Sequence, residues 1–545
     1  MDSANLPSFD TARLEGRIER PIGARVFQGL GAVLLLIGFL FSAQLFNLQV
    51  LGHDALANRA EANRLHHTTV IAERGLIVDR NGVALAENVE GEDDGMVRSY
   101  PFGYATSQIV GYVSYPKRDQ NGFWYQDQTE GVFGVELQHD DALNGENGLE
   151  IAETNATGDA VSGSVVRVAE PGKDIALSLD AGLQSAMYEA IKRRSDESGW
   201  RGGGGVIMDI ETGELLAVAS YPSFDPEIMS VGSPQETVEK FLSDSRSPFL
   251  DRVVSGLYTP GSVVKPFMAT AALEEHLIDP LKNILSTGSI SVPNPYDPTK
   301  ATIFKDWKAH GYVDMRHALA VSSDVYFYAI GGGWQDQAGL GIATIDKYMK
   351  LFGMGALTGV PLQGEESGVI PTPEWKAEQF DGERWFLGNT YHTSIGQYGF
   401  QLTPIQIVRA TASIANGGNL VTPTILKNDV GEKKPLGVSN DNLQIVREGM
   451  RLAVTEGTAQ SLAVPGIRVA GKTGTAEVGV RKEFTNSFLI GFFPYEKPKY
   501  AFAVVMERAK AGTLQGAPAT MREVLEWVVA ERPEMASQDL VDSMP

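Results

Sequence analysis

No cysteine occurs among the 545 residues. Disulfides, thiolate metal sites and cysteine nucleophiles are therefore excluded, and an oxidising compartment is as open to the chain as a reducing one. Basic residues are in deficit, 46 Lys and Arg against 68 Asp and Glu, for a formal net charge of -22. A nucleic-acid binder carries a basic face, so that class is disfavoured. The acidity otherwise implies only a soluble, self-repelling surface. The eight histidines form no ligand-spaced cluster, so neither a metal nor another cofactor is expected. Internal repeats and long low-complexity tracts are also missing.

Uncharged apolar runs are equally rare, with one exception. Val26 to Phe46 reads VFQGLGAVLLLIGFLFSAQLF, 21 residues without a charge. About 20 apolar residues span a bilayer core. A cleaved signal peptide has a shorter apolar region ending at small residues. Here bulky Leu48, Val50 and Leu51 follow, which favours an uncleaved anchor over a signal peptide or a buried core helix. Arg13, Arg17, Arg20 and Arg25 precede the run, and only Arg59 and Arg64 follow at comparable distance. The positive-inside rule then places the N-terminus in the cytoplasm and everything after about residue 47 outside the membrane.

The length suits two or three domains. We expect a cytoplasmic tail over 1–25, a transmembrane helix over 26–47, and a non-catalytic pedestal or dimerisation-type domain over 48–172. A catalytic domain over 173–534 and a C-terminal tail over 535–545 follow. Residues 48–70 are polar and predict a helix. Residues 73–88 predict two strands around an Arg80-Asn81-Gly82 turn, and 89–96 an acidic loop. Residues 131–145 predict a short amphipathic helix. In the larger domain Asp180 is placed to cap a helix carrying Leu183, Met187 and Ile191 on one face. GGGGVIMDI and LLAVASY flank a Glu211-Thr212-Gly213 turn and predict a hairpin. Residues 236–460 read as mainly helical, with Thr403 as N-cap before Pro404 and Gly417-Gly418 ending that helix. IRVAGKTGT, SFLIGFF and YAFAVVM predict three closing strands before a helix over 519–531. This alternation predicts an α+β fold, with an antiparallel sheet against helices and a helical insertion.

Three short motifs carry chemistry. Ser262-Val263-Val264-Lys265 puts a hydroxyl and an amine one helical turn apart. A neutral lysine there can take the serine proton. Alone the pattern is weak, since about two Ser-x-x-Lys matches arise by chance in such a chain. Lys472-Thr473-Gly474-Thr475 is more specific, with about 0.1 Lys-Thr-Gly matches expected by chance. An ammonium and threonine hydroxyls along one strand edge suit a substrate carboxylate. Ser322-Ser323-Asp324 precedes Val325-Tyr326-Phe327-Tyr328; by itself it reads equally well as a helix cap. A rival reading takes Gly466 to Thr473 as a nucleotide-binding P-loop. That loop needs a strand before its first glycine and a helix opening at the lysine, whereas Val464-Pro465 precedes and a strand-like segment follows.

All three motifs in this order resemble penicillin-binding proteins and serine β-lactamases. RGLIVDRNG at 74–82, MDIETGELLAVASYPSFDP at 208–226, LYTPGSVVKPF at 257–267, WFLGNT at 385–390 and SIGQYGFQLTPIQ at 394–406 extend the likeness over nearly the whole chain after residue 70. They resemble class B penicillin-binding proteins, and Asp324 with DVYFY favours the elongation-type, PBP2-like branch. The resemblance implies a transpeptidase domain of penicillin-binding fold and a peptidoglycan D,D-transpeptidase that β-lactams acylate. It implies Ser262 as nucleophile, Lys265 as general base and Ser322 as proton relay. Lys472, Thr473, Gly474 and Thr475 would hold the substrate carboxylate, with backbone N–H groups of Ser262 and Thr475 as oxyanion hole. Implied partners are stem peptides, the membrane, a SEDS-type glycosyltransferase and proteins of the elongation complex.

Three residues or regions depart from the family pattern. Asp324 stands where most relatives have asparagine. A carboxylate beside Lys265 favours its charged form and Lys472 opposes this, so the two are expected to offset one another. The pedestal is short, with only VEGEDDGMVRS between the strand that follows Arg80-Asn81-Gly82 and Tyr100-Pro101, which puts docking of scaffold proteins in doubt. Asn389 stands where relatives often have aspartate and takes no assigned role. Alternatives are a D,D-carboxypeptidase, and a non-enzymatic β-lactam sensor or scaffold. Intact Ser262, Lys265 and Lys472 argue against a dead scaffold, and 25 cytoplasmic residues against a sensor.

Overall fold

The computed structural model describes residues 23–51, 53, 65–91, 96–119, 124–154, 160–294 and 297–536. Most of the expected N-terminal tail, residues 54–64 of the expected helix, residues 92–95 of the acidic loop and residues 537–545 lie outside these. The chain divides into two compact units, Met1–Val70 with Gly148–Val168, and Ile71–Asn147 with Ala169–Pro545.

The first unit holds the apolar helix Ala24–Phe46, which continues as a π turn over Asn47–Leu51. None of its side chains is buried, and it is long and apolar enough to cross a membrane. The unit also holds a three-stranded antiparallel sheet. Leu65–Val70 pairs with Gly148–Thr154, which pairs with Ala160–Arg167. The helix expected over 48–70 is thus corrected at its end: Asn47–Leu51 is helical, but Leu65–Val70 is a strand. Thr68, Thr69 and Val70 are β-branched and find a ladder partner about 80 residues away, which local composition does not announce.

The second unit begins with β1 (Ile77–Val78), β2 (Ala84–Glu90), β3 (Met96–Ser99) and β4 (Ile175–Ala176), arranged β4-β1-β2-β3. The β1–β2 turn is as expected: Asp79 Oδ1 accepts from the N–H groups of Asn81 (2.7 Å) and Val83 (2.8 Å), and Gly82 has φ 83°. Glu136, fully buried, is clamped between Arg74 (2.7 Å) and Arg98 (2.8 Å). The helix expected over 131–145 is found in part, as two short α-helices, Gly134–Gln138 and Asp140–Leu143, while its start belongs to a strand, Glu130–Phe133. A Cβ on Gly131 would lie 1.9 Å from the Glu136 carbonyl oxygen, so the backbone doubles back tightly here.

The catalytic-type core follows. Asp180 caps α1 (Ala181–Ser198), its Oδ1 accepting from Leu183 N at 3.0 Å. Leu183, Met187 and Ile191 are fully buried, as their spacing predicts. The sheet is β6-β5-β11-β10-β9, antiparallel throughout: β5 (Gly202–Asp209), β6 (Leu215–Tyr221), β9 (Ala470–Val478), β10 (Phe484–Phe493) and β11 (Tyr500–Lys510). Four successive glycines open β5 for a packing reason. A Cβ on Gly202 or Gly204 would lie within 3.0 Å of the Arg252 side chain, and one on Gly203 or Gly205 against Ile191 or Met187 of α1. A helix on one face and the turn that carries Arg252 on the other approach closely only because these positions carry no side chain.

Between β6 and β9 lie α2 (Lys265–Glu274), β7 (Ser289–Asn294), β8 (Asp297–Lys305), α3 (Met315–Ala320), α4 (Asp324–Gly332), α5 (Pro404–Ala415) and α6 (Asn440–Thr455). The β7–β8 hairpin is not legible in the sequence, since Pro293, Pro295 and Pro298 argue against a strand. A two-stranded ribbon tolerates proline on its outer edge, where no N–H is needed. Thr403 and Gln406 form a reciprocal capping box at the start of α5. After β11, α7 (Ala517–Glu531) closes the fold.

Candidate active site

The first motif sits at a helix start. Gly261–Val264 is a 3-10 turn that runs directly into α2. Val263 and Val264 are buried and anchor the turn, while Ser262 stays half-buried. Gly261, at φ 59°, is held by its N–H to the Gly396 carbonyl at 3.0 Å. A Cβ there would lie 2.7 Å from the Thr475 carbonyl oxygen, so the nucleophile turn presses on the third motif.

The second motif occupies the tight link between α3 and α4. Ser323 is the N-cap of α4, its Oγ accepting from Tyr326 N at 3.4 Å. Ser322 takes the left-handed conformation, φ 59°, rare for a residue with a side chain. That strain is fixed by Asp306, which follows β8. Asp306 Oδ2 accepts from Ser323 Oγ (2.9 Å), Val325 N (3.0 Å) and Ser286 Oγ (3.2 Å). The adjoining Trp307 donates its indole N–H to the Val321 carbonyl at 3.2 Å.

The third motif lies on β9, whose other edge has no strand partner among the described residues and faces the 3-10 turn. Lys472 is mid-strand, not at a helix start, which removes the P-loop reading. Gly474 leaves room for Pro260 and Val263, which would meet a Cβ at 2.7 and 2.9 Å. Thr473 is half-buried and Thr475 exposed along the edge.

Side chains of all three motifs meet. Lys265, fully buried, donates to the Ser322 carbonyl (2.8 Å), Ser322 Oγ (3.3 Å) and Asp324 Oδ1 (2.6 Å). Its three N–H donors are thereby used, and among the described residues no hydrogen bond joins it to Ser262. Lys472 Nζ donates to the same Ser322 Oγ at 2.8 Å. Burial, and then the charge of Lys265, push the Lys472 amine well below lysine's ordinary range, with Asp324 opposing. Ser322 Oγ therefore lies between two amines, one paired to a carboxylate and one destabilised as a cation. A proton on that hydroxyl has a short path in either direction.

Two further features lie outside the three motifs. Thr458 Oγ1 lies 2.7 Å from Thr473 Oγ1, and its N–H donates to the Ala320 carbonyl at 3.0 Å, so it ties the end of α3, two residues before the second motif, to the third. Asn389, to which the motifs assign no role, accepts from Phe386 N (2.9 Å) and from the buried Lys376 Nζ (3.2 Å). The Thr458 contacts join distant segments, and no local spacing signals them.

The family description "Penicillin binding protein transpeptidase domain" matches residues 203–526, and "Penicillin-binding Protein dimerisation domain" matches 92–177. Peptidoglycan D,D-transpeptidase MrdA of Acinetobacter baumannii is 29% identical over 602 residues, covering 91% of this chain and 86% of that one. The penicillin-binding protein PBP2 of Helicobacter pylori, solved in complex with MreC, superposes with a TM-score of 0.70 at 26% identity, covering 86% of this chain and 99% of that one. Pseudomonas aeruginosa PBP2, solved in complex with WCK 5153, gives a TM-score of 0.70 at 28% identity, covering 88% and 100%. With more than half its length matched, the three motifs in order and their side chains in contact, the chain belongs to the penicillin-binding protein transpeptidase family.

Proposed function

We propose that this chain is a class B, PBP2-like peptidoglycan D,D-transpeptidase working through an acyl-enzyme on Ser262. The observation that carries the reading is Ser322 Oγ within hydrogen-bond reach of both Lys265 and Lys472, beside the Ser262 turn. In the proposed reaction Lys265 acts as its neutral amine, which keeps two N–H donors and leaves a lone pair free. Ser262 Oγ attacks the penultimate D-alanine carbonyl of a stem peptide and loses its proton to Lys265. The oxyanion is met by backbone N–H groups of Ser262 and Thr475. The proton passes through Ser322 to the departing D-alanine nitrogen as the C–N bond breaks. Lys472, Thr473 and Thr475 hold the terminal carboxylate, with Gly474 giving the strand its close approach. An amine from a neighbouring stem then displaces Ser262 and forms the cross-link. β-Lactams acylate the same oxygen.

The apolar helix Ala24–Leu51 serves as a single-pass anchor. The four arginines before it support an extracytoplasmic catalytic domain, where the stem peptides are. We assign 26–47 to the span, 48–172 to the pedestal and 173–534 to the transpeptidase domain. A SEDS-type glycosyltransferase and an MreC-like scaffold are the partners this reading implies. The test is covalent labelling of the full chain by a fluorescent penicillin, with Ser262→Ala as control. We expect labelling of wild type and none of the variant; an unlabelled wild type rejects the acyl-enzyme. Muropeptide analysis then separates the two resolving nucleophiles, since trimmed monomers without cross-links would mean that water, not an amine, resolves the intermediate.

A further inference from the structure

A second buried polar network lies four residues before the nucleophile. Tyr258 is buried and donates its hydroxyl to Glu507 Oε2 at 2.9 Å. The other carboxylate oxygen, Oε1, accepts from Arg252 Nε (3.1 Å) and Nη2 (2.9 Å). Arg252 is among the most deeply buried side chains of the protein, at 1% exposure. Its remaining donors go to the carbonyls of Arg246, Ser247 and Leu250. One carboxylate thus binds both ends of the segment 252–258 to the central sheet, and both of its oxygens are used.

The sheet is deformed where Glu507 sits. The β10–β11 register jumps from Ser487 opposite Met506 to Thr485 opposite Ala509, so Glu507 and Arg508 together oppose Asn486. Arg508 has φ 52°, and its N–H goes sideways to Asn486 Oδ1 at 2.9 Å. A bulge of this kind re-aims a side chain out of the regular pleat. Here Glu507 keeps the regular pleat, on the same face as Ala503 and Val505, and the bulge that follows turns Ala509 to the opposite face, so Glu507 is the last residue the strand presents to Tyr258 and Arg252.

The path from this network to the site is short and stiff. The Tyr258 backbone pairs both ways with Leu402, N–H to carbonyl at 3.0 and 2.9 Å. Its ring stands edge-on to Phe488, centroids 6.2 Å apart, and Phe488 is the register partner of Gly474. Thr259 and Pro260 lead directly to Gly261, which touches Thr475. Burial, with the Glu507 charge adding, holds the Tyr258 phenol protonated and hence a donor.

We infer that Glu507 is a positioning residue for the acylation step: through Tyr258 and Arg252 it sets where the Ser262 turn stands against the edge of β9. This rests on the acyl-enzyme reading above. The experiment measures acylation of the full chain in detergent by a fluorescent penicillin under stopped flow, normalised to end-point labelling. Tyr258→Phe removes one oxygen and keeps the ring against Phe488. We expect its acylation rate constant at saturating penicillin to fall about tenfold, while the dissociation constant of the initial complex stays within about twofold. A Tyr258→Phe/Glu507→Ala double variant should acylate no more slowly than Glu507→Ala alone, because Glu507→Ala already removes the acceptor of the Tyr258 hydroxyl. A Tyr258→Phe variant that acylates at the wild-type rate overturns the inference, as do fully additive losses in the double variant. Failure of wild type to label at all overturns the acyl-enzyme reading itself, so the two failures are told apart.

Discussion

The two serines of the site are held in place by opposite means. Ser322 is fixed by a side chain: Asp306 gathers Ser323 Oγ, Val325 N and Ser286 Oγ around the left-handed turn. Ser262 is fixed where side chains are missing: Gly261, Gly396 and Gly474 let three backbones touch. The first arrangement is polar and fails when a group is removed. The second is steric and fails when a group is added. This division suits the chemistry, because a proton relay needs a defined hydroxyl direction and a nucleophile needs a defined position against the oxyanion donors.

The comparison is broken most severely at Gly396. Its φ is 75°, and a Cβ would lie 2.1 Å from the Gly261 carbonyl oxygen. Backbone must move, and Gly261 is the residue that moves. Gly396→Ala should lose penicillin acylation by at least about 100-fold, since displacements near 1 Å cost that much. Asp306→Ala is the complementary deletion. It strands two buried hydroxyls, Ser286 and Ser323, and the Val325 N–H, which costs about 3 kcal/mol of stability and frees Ser322 from its strained conformation. Stopped-flow acylation beside thermal melts reads both. Wild-type acylation in Gly396→Ala, or an unchanged melt in Asp306→Ala, would collapse the distinction.

Asp324 sharpens the comparison on the Ser322 side. It favours the charged form of Lys472, against burial and Lys265. Removing it leaves those two effects unopposed, so the Lys472 pKa falls further. If carboxylate binding needs the ammonium, the alkaline limb of the acylation pH profile moves to lower pH in Asp324→Asn. A limb displaced by about one pH unit corresponds to a loss of about tenfold at the pH of the wild-type limb. A limb that stays in place means the carboxylate and Lys472 do not offset one another, and Lys472→Ala acylating normally means the same.

How much of this was legible follows from the kind of interaction. The motif serines, both lysines and the closing strands could be read because they are local: spacing, a cap at Asp180, alternation along 470–510. The partners that fix them could not. Asp306 acts across a hairpin that its own prolines disguise, and Glu507 acts from a bulge 245 residues after Ser262. The glycine run at 202–205 stands out in the sequence, yet its reason, Arg252 on one face and α1 on the other, exists only in the packed sheet. The helix expected over 48–70 failed at Leu65–Val70 for the same cause, a strand partner far along the chain.

The smallest effect expected lies beside Arg252 and has the opposite sign. Asp251 is buried, and its Oδ1 accepts from Val253 N at 2.8 Å and Val254 N at 3.4 Å. Burial pushes its carboxyl up to about 6, with the two N–H groups and Arg252 opposing. A carboxyl whose folded pKa is raised binds its proton more tightly folded than unfolded. Its contribution to stability is therefore fully present below about pH 4 and lost as the pH rises through about 6. At pH 7 the ionised form is a net cost. Asp251→Asn keeps a carbonyl oxygen for the two N–H groups and removes the charge, so it should stabilise the fold at pH 7 by about 1–2 kcal/mol. The gain should vanish near pH 4, where wild type is already protonated. Melting curves at pH 4, 5.5 and 7 check this, and a destabilised variant at pH 7 would mean that the charge strengthens the turn by more than its burial costs. Since that turn opens the segment running to Ser262, acylation at pH 7 should stay at the wild-type rate in Asp251→Asn, which separates stiffness of the segment from its ionisation.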